Sequence, residues 1–146
     1  MTSWDSCSGG SPGLQAGGAP LPGKILIIDD EADVMKMLVY RLKARGYETV
    51  TAQDGRAGIE KARKHLPGLI ILDYWLPDMK AVDISAELKS AESTGSIPII
   101  MMTASVENMR DKKEECGACD CLLKPIGPEE LYAKVEKYID LRREVR

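Results

Sequence analysis

This sequence has no strong charge imbalance, no long apolar run and a single histidine. Its 146 residues carry 20 Lys and Arg against 23 Asp and Glu, a formal net charge of −3. A chain balanced in this way lacks the basic footprint that engages a phosphate backbone, so direct nucleic-acid binding is not expected. The positive residues are interspersed with other polar groups, as in KARKH and LRREVR, and read as solvated helix faces. No stretch approaches the roughly 20 apolar residues of a membrane-spanning helix, so no membrane association is expected. The start, MTSWDSCSGG, lacks the basic and apolar segments of a secretory signal. A cytoplasmic, reducing location follows as the expectation, with the four cysteines as thiols. His65 closes a polar helical stretch and reads as a surface residue, neither a ligand nor a phosphotransfer group.

The cysteines lack a further partner as well. Cys116, Cys119 and Cys121 cluster in CGACDC, but no fourth Cys or His stands nearby to complete a closed zinc site. A Cys119–Cys121 disulfide is disfavoured, because side chains two apart on a strand are separated by nearly 7 Å, a distance of the order set by strand geometry. A Cys116–Cys119 pair across the turn stays geometrically open. The simpler reading is a helix end, a turn at Gly117, and a buried strand that uses cysteines as small apolar residues.

What the chain does have is alternation. Residues 1–23 are dominated by Gly, Ser, Pro and Ala with no apolar period, and read as a flexible tail or linker. Residues 24–146 are long enough for one domain with a proper core. KILII (from Lys24) is a β-branched apolar run suited to a strand covered on both faces. Asp33 to Arg45 places Val34, Met37, Leu38 and Leu42 at helical spacing and stops at Gly46. TVTA around Val50 predicts a second strand and Arg56 to Lys64 a second helix, closed by Pro67 and Gly68. LIIL (Leu69 to Leu72), IPIIMM (roughly Ile99 to Met102) and CDCLL predict three more strands. Between and after them, helices are predicted from Val82 to about Ala91, from Val106 to Glu115, and from Pro128 onward. Leu131, Val135, Tyr138 and Ile139 form the apolar stripe of the last. Strands alternating with helices imply a parallel α/β sheet with helices on both faces and right-handed crossovers. Ligands of such folds sit beyond the carboxyl ends of the strands.

The chemistry-bearing residues fall at those ends. The first strand runs into Asp29-Asp30-Glu31, the third ends at Asp73, the fourth at Thr103 and the fifth at Lys124. Carboxylates gathered at one edge raise each other's pKa, a strain that a bound cation relieves. Carboxylate oxygens without His or Cys suit Mg²⁺ or Mn²⁺. Asp73 opens onto a Pro-containing loop, so its carboxylate is expected to be exposed and nucleophilic, as in enzymes that form acyl phosphates. Lys124 can neutralise phosphoryl charge, and Thr103 can donate a hydrogen bond to it. Taken singly, each residue has an ordinary structural explanation: a helix N-cap, a turn, a strand end, a surface Lys-Pro turn. Coincidence does not account for all of them at one sheet edge.

From about Lys24 to Asp140 the chain resembles the receiver domain of two-component response regulators. The resemblance rests on IIDDEAD, on Asp73 in LIILDYWLPDM, on the Thr-Ala of MMTAS and on the Lys-Pro of GACDCLLKP, in the family's order and separation. It implies a flavodoxin-like doubly wound (βα)5 fold with strand order 2-1-3-4-5. It also implies Mg²⁺ held by Asp30 and Asp73 with the backbone carbonyl of Trp75, while Asp29 ligates directly or through a metal-bound water. Asp73 would accept a phosphoryl group from a sensor histidine kinase or phosphotransfer protein. Thr103 would move toward that group, Lys124 would pair with it, and the Lys124–Pro125 peptide would be cis. Such a module catalyses only its own phosphorylation and dephosphorylation. The resemblance leaves open a homodimer through the last strand and helices, and either a stand-alone receiver or one receiver of a larger regulator.

The sequence departs from the family at Lys80-Ala81, where a Gly is usual, at bulky Trp75, and at Cys121, where a switch aromatic is usual. Trp75 is expected either to limit water access to the phosphoryl group or simply to pack on the surface. Cys121 implies a different or weaker coupling from Thr103 to the outer face of the last strand. Two other classes of protein share part of this pattern. One is a receiver-fold interaction module without a switch, supported by Cys121 alone. The other is a Mg²⁺-dependent phosphohydrolase, whose Asp-x-Asp motif would need an acid where Trp75 stands.

Overall fold

The computed structural model describes residues 21–145, with the side chains of residues 21, 22 and 140–145 left aside. The Gly/Ser/Pro-rich segment through residue 20, including Cys7, lies outside the described residues. The strands are β1 (Leu21–Ile28), β2 (Glu48–Ala52), β3 (Pro67–Asp73), β4 (Ile99–Thr103) and β5 (Asp120–Leu123). The helices are α1 (Ala32–Ala44), α2 (Gly55–His65), α3 (Ala81–Lys89), a single turn α4 (Glu92–Gly95), α5 (Met109–Glu115) and α6 (Pro128–Val145). All strand pairs are parallel, and the order is β2-β1-β3-β4-β5. The alternation and the strand order expected from the sequence are those observed.

Burial explains why the central strands read as unbroken apolar runs. Every residue of β3 and of β4 is buried, whereas the edge strands β2 and β5 are mostly half-buried. Side chains alternate between two cores, as the period of a strand requires. Ile25, Ile27, Leu69, Ile71, Ile100 and Met102 meet α1 and α6 on one face. Leu26, Ile28, Ile70, Leu72 and Met101 meet α2 and α3 on the other. The expected stripe of α6 is buried in full. On α1 the stripe is rotated: Met35, Leu38 and Leu42 are buried, while Val34 and Met37 sit half-buried at its margins.

Three boundaries differ from expectation. β1 begins at Leu21 rather than Lys24, with a register irregularity before Ile25. Pro67 and Gly68 belong to β3 rather than closing α2, which ends instead at Leu66 in a left-handed conformation. α5 begins at Met109 rather than Val106, because Asn108 adopts φ 55° and breaks the helical path, a conformation Asn tolerates better than most residues. The loop so created leaves Val106 exposed.

Cys116 is buried and Cys121 half-buried, and both are free thiols. Cys119 is disulfide-bonded, which corrects the expectation of a thiol there. With Cys116 free, the Cys116–Cys119 pair left open by the sequence does not form. Among the described residues, no helix is long and apolar enough to cross a membrane.

Candidate functional site

β1, β3, β4 and β5 all deliver a polar residue to the same edge, because parallel strands in register end together. Asp29 follows β1 and is fully buried, its N–H donating to the carbonyl of Ala52. Asp73 closes β3 and Thr103 closes β4, both buried, so the Asp73 carboxylate is not the exposed group expected from its loop: it is packed against Asp29 and Lys124. Lys124 follows β5, its N–H donating to the Thr103 carbonyl at 2.8 Å, which continues the β4–β5 ladder. The Lys124–Pro125 peptide is cis, as the resemblance implied.

The carboxylates of Asp29, Asp30 and Asp73 each place an oxygen within 4.8 Å of the others. Lys124 Nζ reaches into this group, 3.0 Å from Asp29 Oδ2 and 3.3 Å from Asp73 Oδ2. It also contacts Glu31 Oε1 at 2.7 Å, a partner not anticipated from the sequence. Burial alone would lower the proton affinity of Lys124, but Glu31, Asp29 and Asp73 more than reverse this and hold it as an ammonium. Asp73 shows the opposite balance. Burial and the Asp29 charge push its carboxyl up to about 7, against the opposing pull of Lys124.

Asp29 Oδ2 is the informative atom. It is buried, with the Lys124 ammonium 3.0 Å away. Its other oxygen accepts the Glu31 N–H at 2.8 Å. Lys124 is shared among Asp29, Glu31 and Asp73, and one ammonium does not neutralise the gathered carboxylates, a deficit a further cation relieves. The donor set around it is all carboxylate, which fits a hard divalent ion. The residues present therefore fit Mg²⁺ or Mn²⁺.

Thr103 Oγ1 accepts the N–H of Ser105 at 3.2 Å and lies 3.4 Å from the Ser105 carbonyl, so its hydroxyl is engaged locally. The structure thus brings Asp29, Asp30, Asp73, Thr103 and Lys124 to one edge. Trp75 lies on the loop after β3, its N–H 3.4 Å from Asp73 Oδ1. Its indole is 68% exposed and meets Tyr74 edge-on, with ring centroids 5.2 Å apart. Cys121 pairs in register with Met101 and packs half-buried against the α2/α3-side core. His65 sits partly exposed at the end of α2, disfavoured as a cation by its surroundings and by Lys24, Lys64 and Lys61. It takes no part in the acidic site.

Two contacts escape sequence reading. Asp78 accepts the N–H groups of Gly55 at 2.7 Å and Arg56 at 3.0 Å, so the loop after β3 is tied to the start of α2. Arg41 Nη1 donates to the Ile126 carbonyl at 2.7 Å, tying α1 to the loop after Lys124. Glu31 had a local signal in the acid run beside Asp30, whereas the partners of Asp78 and Arg41 are 22 to 85 positions away.

A five-stranded parallel sheet in the order 2-1-3-4-5, with acids, a hydroxyl and a lysine converging at its carboxyl edge, defines a doubly wound signalling module of the receiver class. The chain belongs to the response regulator receiver domain family, whose model matches residues 25–136. It is 37% identical over 115 residues to the alkaline phosphatase synthesis transcriptional regulatory protein PhoP of Bacillus subtilis, covering 77% of this chain and 47% of that protein. It is 33% identical over 114 residues to the phosphate regulon transcriptional regulatory protein PhoB of Escherichia coli, covering 77% and 50%. The chain therefore spans about half the length of these curated relatives. Among solved structures, the response regulator TrrA of Thermotoga maritima in complex with Mg²⁺ and BeF matches with TM-score 0.71 and 28% identity, over 79% of this chain and 97% of that one. The chemotaxis protein CheY4 of Vibrio cholerae matches with TM-score 0.73 and 30% identity, over 80% and 98%. Receiver domains are signalling modules rather than classical enzymes.

Proposed function

We propose that this receiver accepts a phosphoryl group on Asp73 from a histidine kinase or phosphotransfer protein and signals through the resulting rearrangement. The observation that carries this reading is the convergence of Asp29, Asp30 and Asp73 around the Lys124 ammonium. An interaction module without a switch has no use for that arrangement. Asp29, Asp30, Asp73 and the Trp75 carbonyl would hold Mg²⁺, or Mn²⁺ in its place. When bound, the ion supplies charge neutralisation for the transferring phosphoryl oxygens. The Mg²⁺ and BeF complex of the Thermotoga maritima relative supports this assignment.

The residues of the chain do the rest. Ionised Asp73 attacks the phosphorus of a phosphohistidine. A P–O bond forms as the P–N bond breaks, and its electron pair leaves on the imidazole nitrogen. Lys124, already 3.3 Å from Asp73 Oδ2, pairs with a phosphoryl oxygen and stabilises the charge as it shifts. Thr103 leaves its local contact with Ser105 to donate to another oxygen. Hydrolysis by water returns Asp73 to its starting form, so the catalysis is confined to the module's own phosphoryl group. A cytoplasmic location, the absence of direct nucleic-acid contacts by this domain, and the homodimer through β5 and the helices next to it are parts of the same proposal.

Incubation with acetyl phosphate and Mg²⁺, read by intact mass, tests it. One phosphoryl adduct, lost in the Asp73→Asn variant and absent with a chelator, is the expected result. No adduct would point to the unswitched interaction module. Steady phosphate release from added phosphoesters would point to a phosphohydrolase.

A further inference from the structure

The loop after β3 carries the Trp75 carbonyl, and its conformation is held from outside the site. Tyr74 N–H donates to the Met102 carbonyl at 2.8 Å, which continues the β3–β4 ladder by one residue. An antiparallel bridge between Trp75 and Lys80 then closes the loop on itself. At its tip, the Asp78 carboxylate accepts the first two N–H groups of α2, those of Gly55 and Arg56, one on each oxygen. The third, from Ala57, goes to Asp54 at 2.8 Å. Helix α2 is thus capped by two acids, one local and one from the metal-site loop. The approach is close: a Cβ on Gly55 would lie 2.9 Å from Met79 Cβ and 2.8 Å from Ile84 Cδ1.

We infer that Asp78 is a positioning residue for the phosphoryl site, clamping the β3–α3 loop to α2 so that the Trp75 carbonyl is held where a divalent ion requires it. The inference rests on the proposed metal reading and adds to it a residue that touches neither metal nor phosphoryl group. An exposed acid in a turn needs no remote partner. Asp78 instead uses both oxygens on backbone donors more than 20 positions away. Helix-terminal N–H groups favour the ionised form, which keeps the clamp in place at neutral pH. Groups that orient ligands from one layer out change metal affinity by roughly 10- to 100-fold when removed.

The test uses the metal alone. Mn²⁺ binding is followed through loss of the free-ion paramagnetic resonance signal, with Mg²⁺ as competitor and no phosphodonor present. Asp78→Ala should weaken binding about tenfold, and Asp78→Asn, which keeps one acceptor, should recover part of the loss. Asp54→Ala is the control, because it removes a cap from the same helix without touching the loop. It should lower the thermal midpoint about as much as Asp78→Ala while leaving the Mn²⁺ affinity unchanged. Equal Mn²⁺ affinities in the Asp78→Ala and Asp54→Ala variants, whether both weakened or both normal, would overturn the clamp. A wild-type chain with no saturable Mn²⁺ binding would overturn the metal reading itself, and the clamp with it.

Discussion

Burial and the Asp29 charge push the Asp73 carboxyl up to about 7, so without a cation it is largely protonated in mildly acid solution. Only the ionised form can attack phosphorus. At limiting Mg²⁺, phosphorylation by acetyl phosphate should therefore rise with pH through about 7, and saturating Mg²⁺ should move that midpoint downward. A pH–rate series at two metal concentrations reads this directly, and a midpoint indifferent to metal would contradict it. Asp73→Asn should abolish the adduct yet stabilise the metal-free fold by on the order of 1 kcal/mol, because it removes a buried like-charge contact. Lys124→Met should keep the fold and slow phosphorylation by roughly 10²-fold, the scale of one lost charge-stabilising donor. Trp75 is a different case. Its indole points largely to solvent, so Trp75→Ala should leave the phosphoryl lifetime unchanged, and a shortened lifetime would restore the shielding role.

At the scale of elements, the cost of putting four strand ends together falls on how closely the helices approach the sheet. Gly58 of α2 lies against Ile28, the last residue of β1, and an added Cβ would meet its Cδ1 at 2.6 Å, Cγ1 at 2.9 Å and Cγ2 at 3.1 Å. Ile28 is β-branched, stiff at χ1 and fully buried, so it has little room to give way. Gly58→Ala should consequently destabilise by about 1–3 kcal/mol despite the better helix propensity of Ala, as chemical denaturation would show. α6 is fastened to β5 differently. The Tyr138 hydroxyl lies 3.0 Å from both the Cys119 carbonyl and Asp120 Oδ2, sharing its one proton between these two acceptors, and Lys134 Nζ donates to the Cys121 carbonyl at 2.6 Å. These polar ties anchor the last helix to the strand that carries Cys121.

Across the whole molecule, two acids set opposite pH dependences. The folded-state pKa of Asp73 lies above its unfolded value, so the metal-free chain loses stability as pH rises from about 4 to about 7. Burial raises Asp120, but the Cys121 N–H, Lys134 and Tyr138 outweigh it and hold its carboxyl below the usual range. Its contribution is present above the unfolded pKa and is lost as pH falls through the lowered folded value. From these two acids, metal-free stability should therefore peak near the unfolded carboxylate value of about 4. Adding Mg²⁺ at roughly 100 times its dissociation constant should raise stability by about 2.7 kcal/mol and move the peak toward neutrality. Thermal unfolding across pH, with and without Mg²⁺, checks both statements.

The sequence by itself determined the alternation of strands and helices, the parallel sheet and the convergence of Asp29, Asp30, Asp73, Thr103 and Lys124. These are legible because apolar runs and helical periods are local, and because parallel strands end at one edge whatever lies between them. Helix boundaries were less legible. Asn108 shortened α5 through a backbone conformation that periodicity does not register, and the buried stripe of α1 includes Met35 rather than Val34 and Met37. Only the tertiary structure decided that Glu31 shares Lys124, that Asp29 is fully buried beside that ammonium, and that Asp78 caps a helix formed by residues far earlier in the chain. Each depends on where distant backbone groups come to rest in space. A carboxylate in a turn looks the same in sequence whether it faces water or two unsatisfied N–H groups.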